Sequence, residues 1–138
     1  MRVFKDVKIP RRSTFGSAGY DFCSPDTYEL TPNEWTMIDT GVSLDESKFG
    51  TDLERWFMLL VPRSGLSNKY GLRIRNTVGI IDMDYKDTIK AMITVDEAYT
   101  LQKGERFLQG IVVPFGTFID EISPTGSRNG GHGSTGRF

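Results

Sequence analysis

Residues 72–95 read LRIRNTVGIIDMDYKDTIKAMITV, and their periodicity decides the fold. Leu72, Ile74, Asn76 and Val78 share one parity, with Arg73, Arg75 and Thr77 on the other. After the interruption at GIIDMDY, Ile89, Ala91, Ile93 and Val95 alternate with Lys90, Met92 and Thr94. Both runs carry the period of two that marks half-buried strands, and a hairpin joining them is expected. No segment of the chain sustains a 3.6-residue apolar period over a dozen residues, so the fold class is all-β.

Outward from this stretch the same signals recur. Val3, Val7 and Ile9 read as a first strand ended by Pro10, Thr27–Leu30 and Trp35–Val42 as two more separated by Thr31-Pro32-Asn33. Residues 56–61, WFMLLV, form a continuous apolar run of strand length, expected to be buried on both faces or at a subunit contact. Lys103-Gly104-Glu105 is a turn before a strand over Phe107–Phe115, and Phe118–Ile122 is a last short one. One short helix is expected, capped by Ser64 and stopped at Gly71. The segment Asp45–Arg55 is polar and charged, and Thr51 with Glu54 has capping-box spacing, so it reads as a surface excursion with a single helical turn.

A chain of 138 residues with 38% hydrophobic composition fits one domain. Its 17 basic and 18 acidic residues give a formal charge of -1, which offers no field for sustained nucleic-acid or membrane binding. Cys23 and His132 are the only residues of their kinds, so neither a disulfide framework nor a Cys/His zinc site can form within the chain. The N-terminal residues are too charged for a signal peptide and no run of about 18 apolar residues occurs, so a cytoplasmic protein is expected.

Chemistry concentrates in four places. NTVGIIDMDY brings Asn76, Gly79, Asp82, Asp84 and Tyr85 together: an amide can read the edge of a heterocycle, a ring can stack, and a carboxylate can take a proton from water. Asp21 stands at the glycine-rich corner GSAGYDF, either as a turn residue satisfying local amides or as a functional carboxylate. Arg63, Ser64 and Gly65 open the short helix, where a guanidinium and backbone N–H groups can face one anion, or where an ordinary turn carries a solvated Arg. Residues 123–138, SPTGSRNGGHGSTGRF, are glycine-rich with one large apolar residue. They read as a separate C-terminal arm beyond a core of residues 1–122: a tail, or a mobile lid ordering over a ligand.

In order and spacing, AGYDF, PRSGLS, NTVGIIDMDY, GERFLQ and GGHGSTG resemble the five motifs of the trimeric deoxyuridine triphosphate nucleotidohydrolases, the dUTPases. The resemblance covers about Ser17 to Gly136. It implies a jelly-roll-like β-clip fold, homotrimers with shared active sites, and hydrolysis of dUTP to dUMP and pyrophosphate. That activity limits uracil incorporation into DNA and supplies dUMP for dTMP synthesis.

Residue by residue, the resemblance makes Asp82 the base that activates water against the α-phosphorus. Asn76, with the backbone near Gly79, reads uracil, and Tyr85 packs beneath the deoxyribose, while Asp84 has no direct role. Arg63, Ser64 and Gly65 hold phosphate oxygens. Asp21 and Gln109 contact waters on a Mg2+ ion chelated mainly by the substrate triphosphate. Arg128, His132, Gly133 and Ser134 close over the ligand. The family usually has an aromatic residue where this chain has His132, and an arginine where it has Ser127, one residue before Arg128. The related dCTP deaminases are the enzymatic alternative. A non-catalytic trimeric β module, or a dUTPase-like protein that signals by binding another protein through the Asp45–Arg55 loop, is the other.

Overall fold

The computed structural model describes residues 1–4, 6–44 and 55–121. Eleven strands and one helix occur among them: β1 Arg2–Val3, β2 Gly19–Cys23, β3 Tyr28–Leu30, β4 Thr36–Asp39, β5 Val42–Ser43, β6 Trp56–Pro62, α1 Ser64–Tyr70, β7 Arg73–Ile74, β8 Gly79–Asp82, β9 Lys90–Thr94, β10 Tyr99–Leu101 and β11 Arg106–Pro114. Every strand pair is antiparallel. Two larger sheets carry the architecture, one ordered β2-β11-β6-β8 and the other β4-β9-β7, with the pairs β1-β5 and β3-β10 beside them. The all-β class with one short helix is as the sequence implies.

The core draws on both larger sheets: Phe22, Phe107, Leu108, Met58 and Leu60 from the first meet Ile38, Ala91, Ile93 and Ile74 from the second. Burying each of these side chains larger than Ala91 contributes about 1.5–3 kcal/mol. The apolar parity of residues 89–95 is buried at Ile89, Ala91, Ile93 and Val95, while Thr94 on the other parity is buried as well. Along β6, Trp56, Met58 and Leu60 are buried while Phe57, Leu59 and Val61 are partly covered. The continuous apolar run therefore reflects a central strand between β11 and β8.

The expected hairpin across residues 72–95 is only half present. Its outer ends pair, Arg73 with Thr94 and Ile74 with Ile93, but the stretch between them leaves the sheet. Gly79–Asp82 is itself a strand, paired with residues 57–60 of β6 in the other sheet. The exit is a tight turn in which Thr77 N–H donates to the Ile74 carbonyl and Val78 N–H to the Asn76 carbonyl. Thr77 adopts φ 67°, a left-handed conformation that β-branched residues rarely take. The period-two reading missed the crossing because both sheets want the same alternation.

Other expectations shift as well. The first strand is limited to Arg2–Val3, and Trp35–Val42 divides at Gly41, which has φ 68°. Ser64 is the first helical residue rather than the cap. Arg63 holds the N-cap position with no side-chain cap bond, while Gly71 ends the helix in the left-handed region as expected. Residues 118–121 form no strand, and Phe118 and Ile119 are exposed. The helical turn expected at Thr51–Glu54 lies outside the described residues. So do Arg128, His132, Gly133, Ser134 and the whole of the arm.

Candidate active site

The sequence-predicted residues fall into two groups. The first surrounds a cavity of about 570 Å³ between the edge strand β8 and the β4-β9-β7 sheet. Asn76, Gly79, Asp82 and Tyr85 all line it. Gly79 is buried where a Cβ would meet the Leu60 Cβ at 3.0 Å, so a larger residue would push β8 away from β6. Asp82 ends β8, and its carbonyl accepts the Tyr85 N–H, which folds the chain back beneath the cavity. Tyr85 is 7% exposed and donates its hydroxyl to the Thr88 carbonyl at 3.2 Å, which fixes the ring plane. Asp84 is exposed and does not belong to the cavity wall.

Sequence reading missed several wall residues. Met37, Lys90 and Met92 complete the cavity from the outward parity of β4 and β9, with Arg75 from the turn that follows β7. That parity faces solvent in a two-sheet sandwich but faces β8 here. Trp35 lies nearby with the Arg73 and Arg75 guanidinium carbons 6.0 and 5.6 Å from its ring centre, within the range of cation–π attraction.

The second group centres on Asp21. Its Oδ1 receives the Arg63 Nε at 3.0 Å, while its Oδ2 receives the Arg106 guanidinium at 3.1 Å and the Ser13 hydroxyl at 2.9 Å. Arg106 and Ser13 were not singled out from the sequence. The signal was the Arg inside GERF, hidden by its apparent parity.

A β-bulge decides this cluster. Across β2 and β11, Cys23 faces Arg106 and Phe22 faces Leu108, so Phe107 is the extra residue. Phe107 and Leu108 consequently both turn inward, each fully buried. Arg106 and Gln109, three residues apart, would occupy opposite faces of a regular strand; the bulge puts both on the face of Asp21. Gln109 is directly opposite Asp21 in register, with its Nε2 donating to the Pro62 carbonyl at 3.3 Å. Gly19 makes room for it, since a Cβ there would come within 2.6 Å of the Gln109 Oε1.

Arg63 reaches the cluster from the start of α1, anchored where its N–H meets the Phe107 carbonyl at 3.0 Å. Ser64 and Gly65 are exposed in the first turn, whose N–H groups have no intrahelical acceptor. The far end of α1 is braced: Tyr70 packs on Tyr99 with ring centres 4.2 Å apart, and the Tyr99 hydroxyl donates to Glu105. Burial, then the Glu105 bond, pushes the Tyr99 phenol up to about 12. Burial also pushes the Cys23 thiol up, against the opposing pull of Lys8 and Arg106, so this cysteine is not an activated nucleophile.

Within one chain Asp82 stands far from the Arg63 cluster, although Gly79, opposite Leu60, lies near it. Asp82 is opposite Phe57 near the start of β6, and Arg63 follows its last residue. Six strand residues at about 3.3 Å each separate them by roughly 20 Å.

The chain is 34% identical over 146 aligned positions to the deoxyuridine 5'-triphosphate nucleotidohydrolase of Escherichia coli O9:H4 (strain HS), covering 99% of this chain and 92% of that one. Among solved structures it resembles the dUTPase of Staphylococcus bacteriophage 80alpha with dUPNHPP, at TM-score 0.72 and 26% identity, covering 99% of this chain and 96% of the other. It also resembles the dUTPase of Streptococcus mutans, at TM-score 0.69 and 28% identity over 87% of this chain and 98% of that one. A family model described as dUTPase matches residues 5–136, and with a relative of this identity across nearly the full length, the chain belongs to the dUTPase family.

Proposed function

We propose that the protein hydrolyses dUTP to dUMP and pyrophosphate. The observation that carries this reading is that Asn76, Gly79, Asp82 and Tyr85 wall one cavity, which joins a heterocycle reader, a close backbone, a base and a stacking ring. Uracil would be read by the Asn76 segment beside Gly79. The Tyr85 ring, fixed by its bond to Thr88, would pack beneath the deoxyribose and leave no room for a 2′-hydroxyl. The Asp82 carboxylate would take a proton from water as the water oxygen bonds to the α-phosphorus. The bond from that phosphorus to the bridging oxygen then breaks, and pyrophosphate leaves with the electron pair.

Arg63 and the first-turn N–H groups of Ser64 and Gly65 would hold the phosphate oxygens and oppose the developing charge. Among the described residues no group of three or more His, Cys, Asp or Glu side chains suits a metal. Asp21 and Gln109, side by side on one face, instead fit contact through water with Mg2+ carried by the triphosphate. Bound there, the ion would neutralise phosphate charge. Arg128, His132, Gly133 and Ser134 of the 123–138 arm would close over the ligand, Arg128 on phosphate and His132 on the uracil face. The reading also implies the housekeeping role of keeping uracil out of DNA, in the cytoplasm.

The roughly 20 Å between Asp82 and Arg63 supports sites shared between copies in a homotrimer. Three assays test these readings. Purified protein with magnesium should release pyrophosphate from dUTP, and Asp82→Asn should abolish that release; ammonia from dCTP with dUTP left intact would install the deaminase reading. Two inactive variants, Asp82→Asn and Arg63→Ala, should on mixing and reassembly recover about a quarter of the sites if each is built from two copies. A mixture that stays inactive would place the site within one chain. Deleting Gly126–Phe138 should leave the core folded and cost orders of magnitude in turnover; unchanged turnover would make the arm a tail.

A further inference from the structure

A second cavity, of about 500 Å³, opens on the other side of Asp21. It is walled by Lys8, Arg11, Arg12 and Arg106 with Ser13, Cys23 and Asp21. None of Arg63, Ser64, Gly65 or Gln109 lines it, so it is distinct from the groups assigned above to the substrate's phosphates. Four cations face one carboxylate, and that carboxylate is already shared among Arg63, Arg106 and Ser13. Arg12 is occupied in bracing its own loop through the Phe15 and Ser17 carbonyls. The side chains of Lys8 and Arg11 make no hydrogen bond or ion pair with another described residue. The Lys8 charge is nonetheless felt inside the cavity, where Lys8 and Arg106 oppose the rise that burial imposes on the Cys23 thiol.

In a chain of net charge -1, a concave site with four converging cations and one neutralised acid is a place for a small multivalent anion. We infer that this cavity binds a phosphate-class oxyanion, with Lys8 and Arg11 as its free cations and Ser13 and Arg106 as its shared donors. Inorganic pyrophosphate and orthophosphate both carry that chemistry. The cavity abuts the reaction site through Asp21, whose Oδ1 faces Arg63 and whose Oδ2 faces the cavity. An anion that draws Arg106 and Ser13 toward itself frees Oδ2 and strengthens the hold of Asp21 on Arg63. Under the hydrolase reading the released pyrophosphate thus restrains the next turnover from a cavity that meets the substrate's site only at Asp21.

The test is calorimetric titration of the full chain, without nucleotide or magnesium, using sodium pyrophosphate in one arm and orthophosphate in the other. Pyrophosphate should bind, and Lys8→Ala with Arg11→Ala should weaken it about tenfold or more, the loss of two charge-assisted contacts. The pair Lys8→Gln and Arg11→Gln, which keeps the apolar stems, should weaken it likewise, and Arg63→Ala, which acts only through Asp21, should change it by a much smaller factor. Orthophosphate matching pyrophosphate would make free phosphate the ligand; pyrophosphate alone would make the reaction product the ligand. Binding that survives both double variants but is lost in Arg63→Ala would overturn the site, as would no binding of either anion to the unmodified chain. The titration needs no turnover, so its failure and failure of the hydrolase reading are separate results.

Discussion

The cavity beside Asp82 is walled mainly by packed side chains, Leu60, Ile81 and the buried ring of Tyr85, with Arg75 and Lys90 as its cations, whereas around Asp21 two guanidinium groups and a hydroxyl share one carboxylate. Backbone pairing and packing shape the first region: Gly79 against Leu60, the Tyr85 hydroxyl on Thr88. Charge shapes the second, and its partners are part-exposed, so water and salt compete for them. A flat base and a sugar need a cavity that exists before they arrive, because shape selects by excluding. Under the proposed reading a triphosphate needs cations whose existing partner can be exchanged, and the ion pair of Asp21 with Arg63 suits that exchange.

The largest expected effect is at the centre of the cavity. Asp82→Asn removes the proton acceptor while keeping shape, so turnover of dUTP should fall by about 10²–10⁴ with little change in thermal midpoint. A comparable loss accompanied by collapse of stability would show that Asp82 is structural. Asp21→Asn probes the other region. It leaves Arg63 and Arg106 without their counter-charge, and turnover should fall less, by about tenfold, with a steeper dependence on ionic strength than the cavity variant shows. Equal salt dependence in the two variants would remove the contrast between shape and charge.

Gly79→Ala tests the packing side alone. Its Cβ would crowd Leu60, and unfolding in denaturant should show a loss of about 1–3 kcal/mol. Tyr99 tests the brace behind Arg63. Its phenol is raised from 10 to about 12 in the folded chain, so the neutral form is favoured on folding. The contribution is complete below about pH 10 and is lost as pH rises through about 12. Thermal midpoints should therefore fall across that window, and Tyr99→Phe should remove this part of the alkaline fall. The smallest effect is expected at Thr77, whose left-handed backbone costs about 1–2 kcal/mol. Thr77→Gly should stabilise by up to about that amount, and a destabilised variant would show the Thr side chain holding the turn.

Much of this molecule was legible in its residues. The alternation at Ile89–Val95 reports a real buried face, Gly71 stops α1 in the left-handed region, and Gly104 turns before β11 with φ 83°. Asn76, Gly79, Asp82 and Tyr85 were close in sequence, and β8 with its following turn keeps them around one cavity. Local chemistry sufficed there because local chain geometry sets the contacts.

What the tertiary structure decided is everything that depends on pairing between distant strands. The alternation of residues 72–78 cannot say that the chain changes sheets at Asn76, since either sheet would accept it. The parity of β11 places Arg106 and Gln109 on opposite faces until the extra Phe107 is admitted, and only pairing with β2 reveals the bulge. The sequence alone thus determined that Asn76, Gly79, Asp82 and Tyr85 lie close together and that the chain is built of antiparallel strands, because chain neighbourhood and period two are local properties. Register against β2 and β6 determined that Asp21, Arg63, Arg106 and Gln109 meet at one end while Asp82 lies at the other, because hydrogen-bonded register is a property of two strands and is written in neither one.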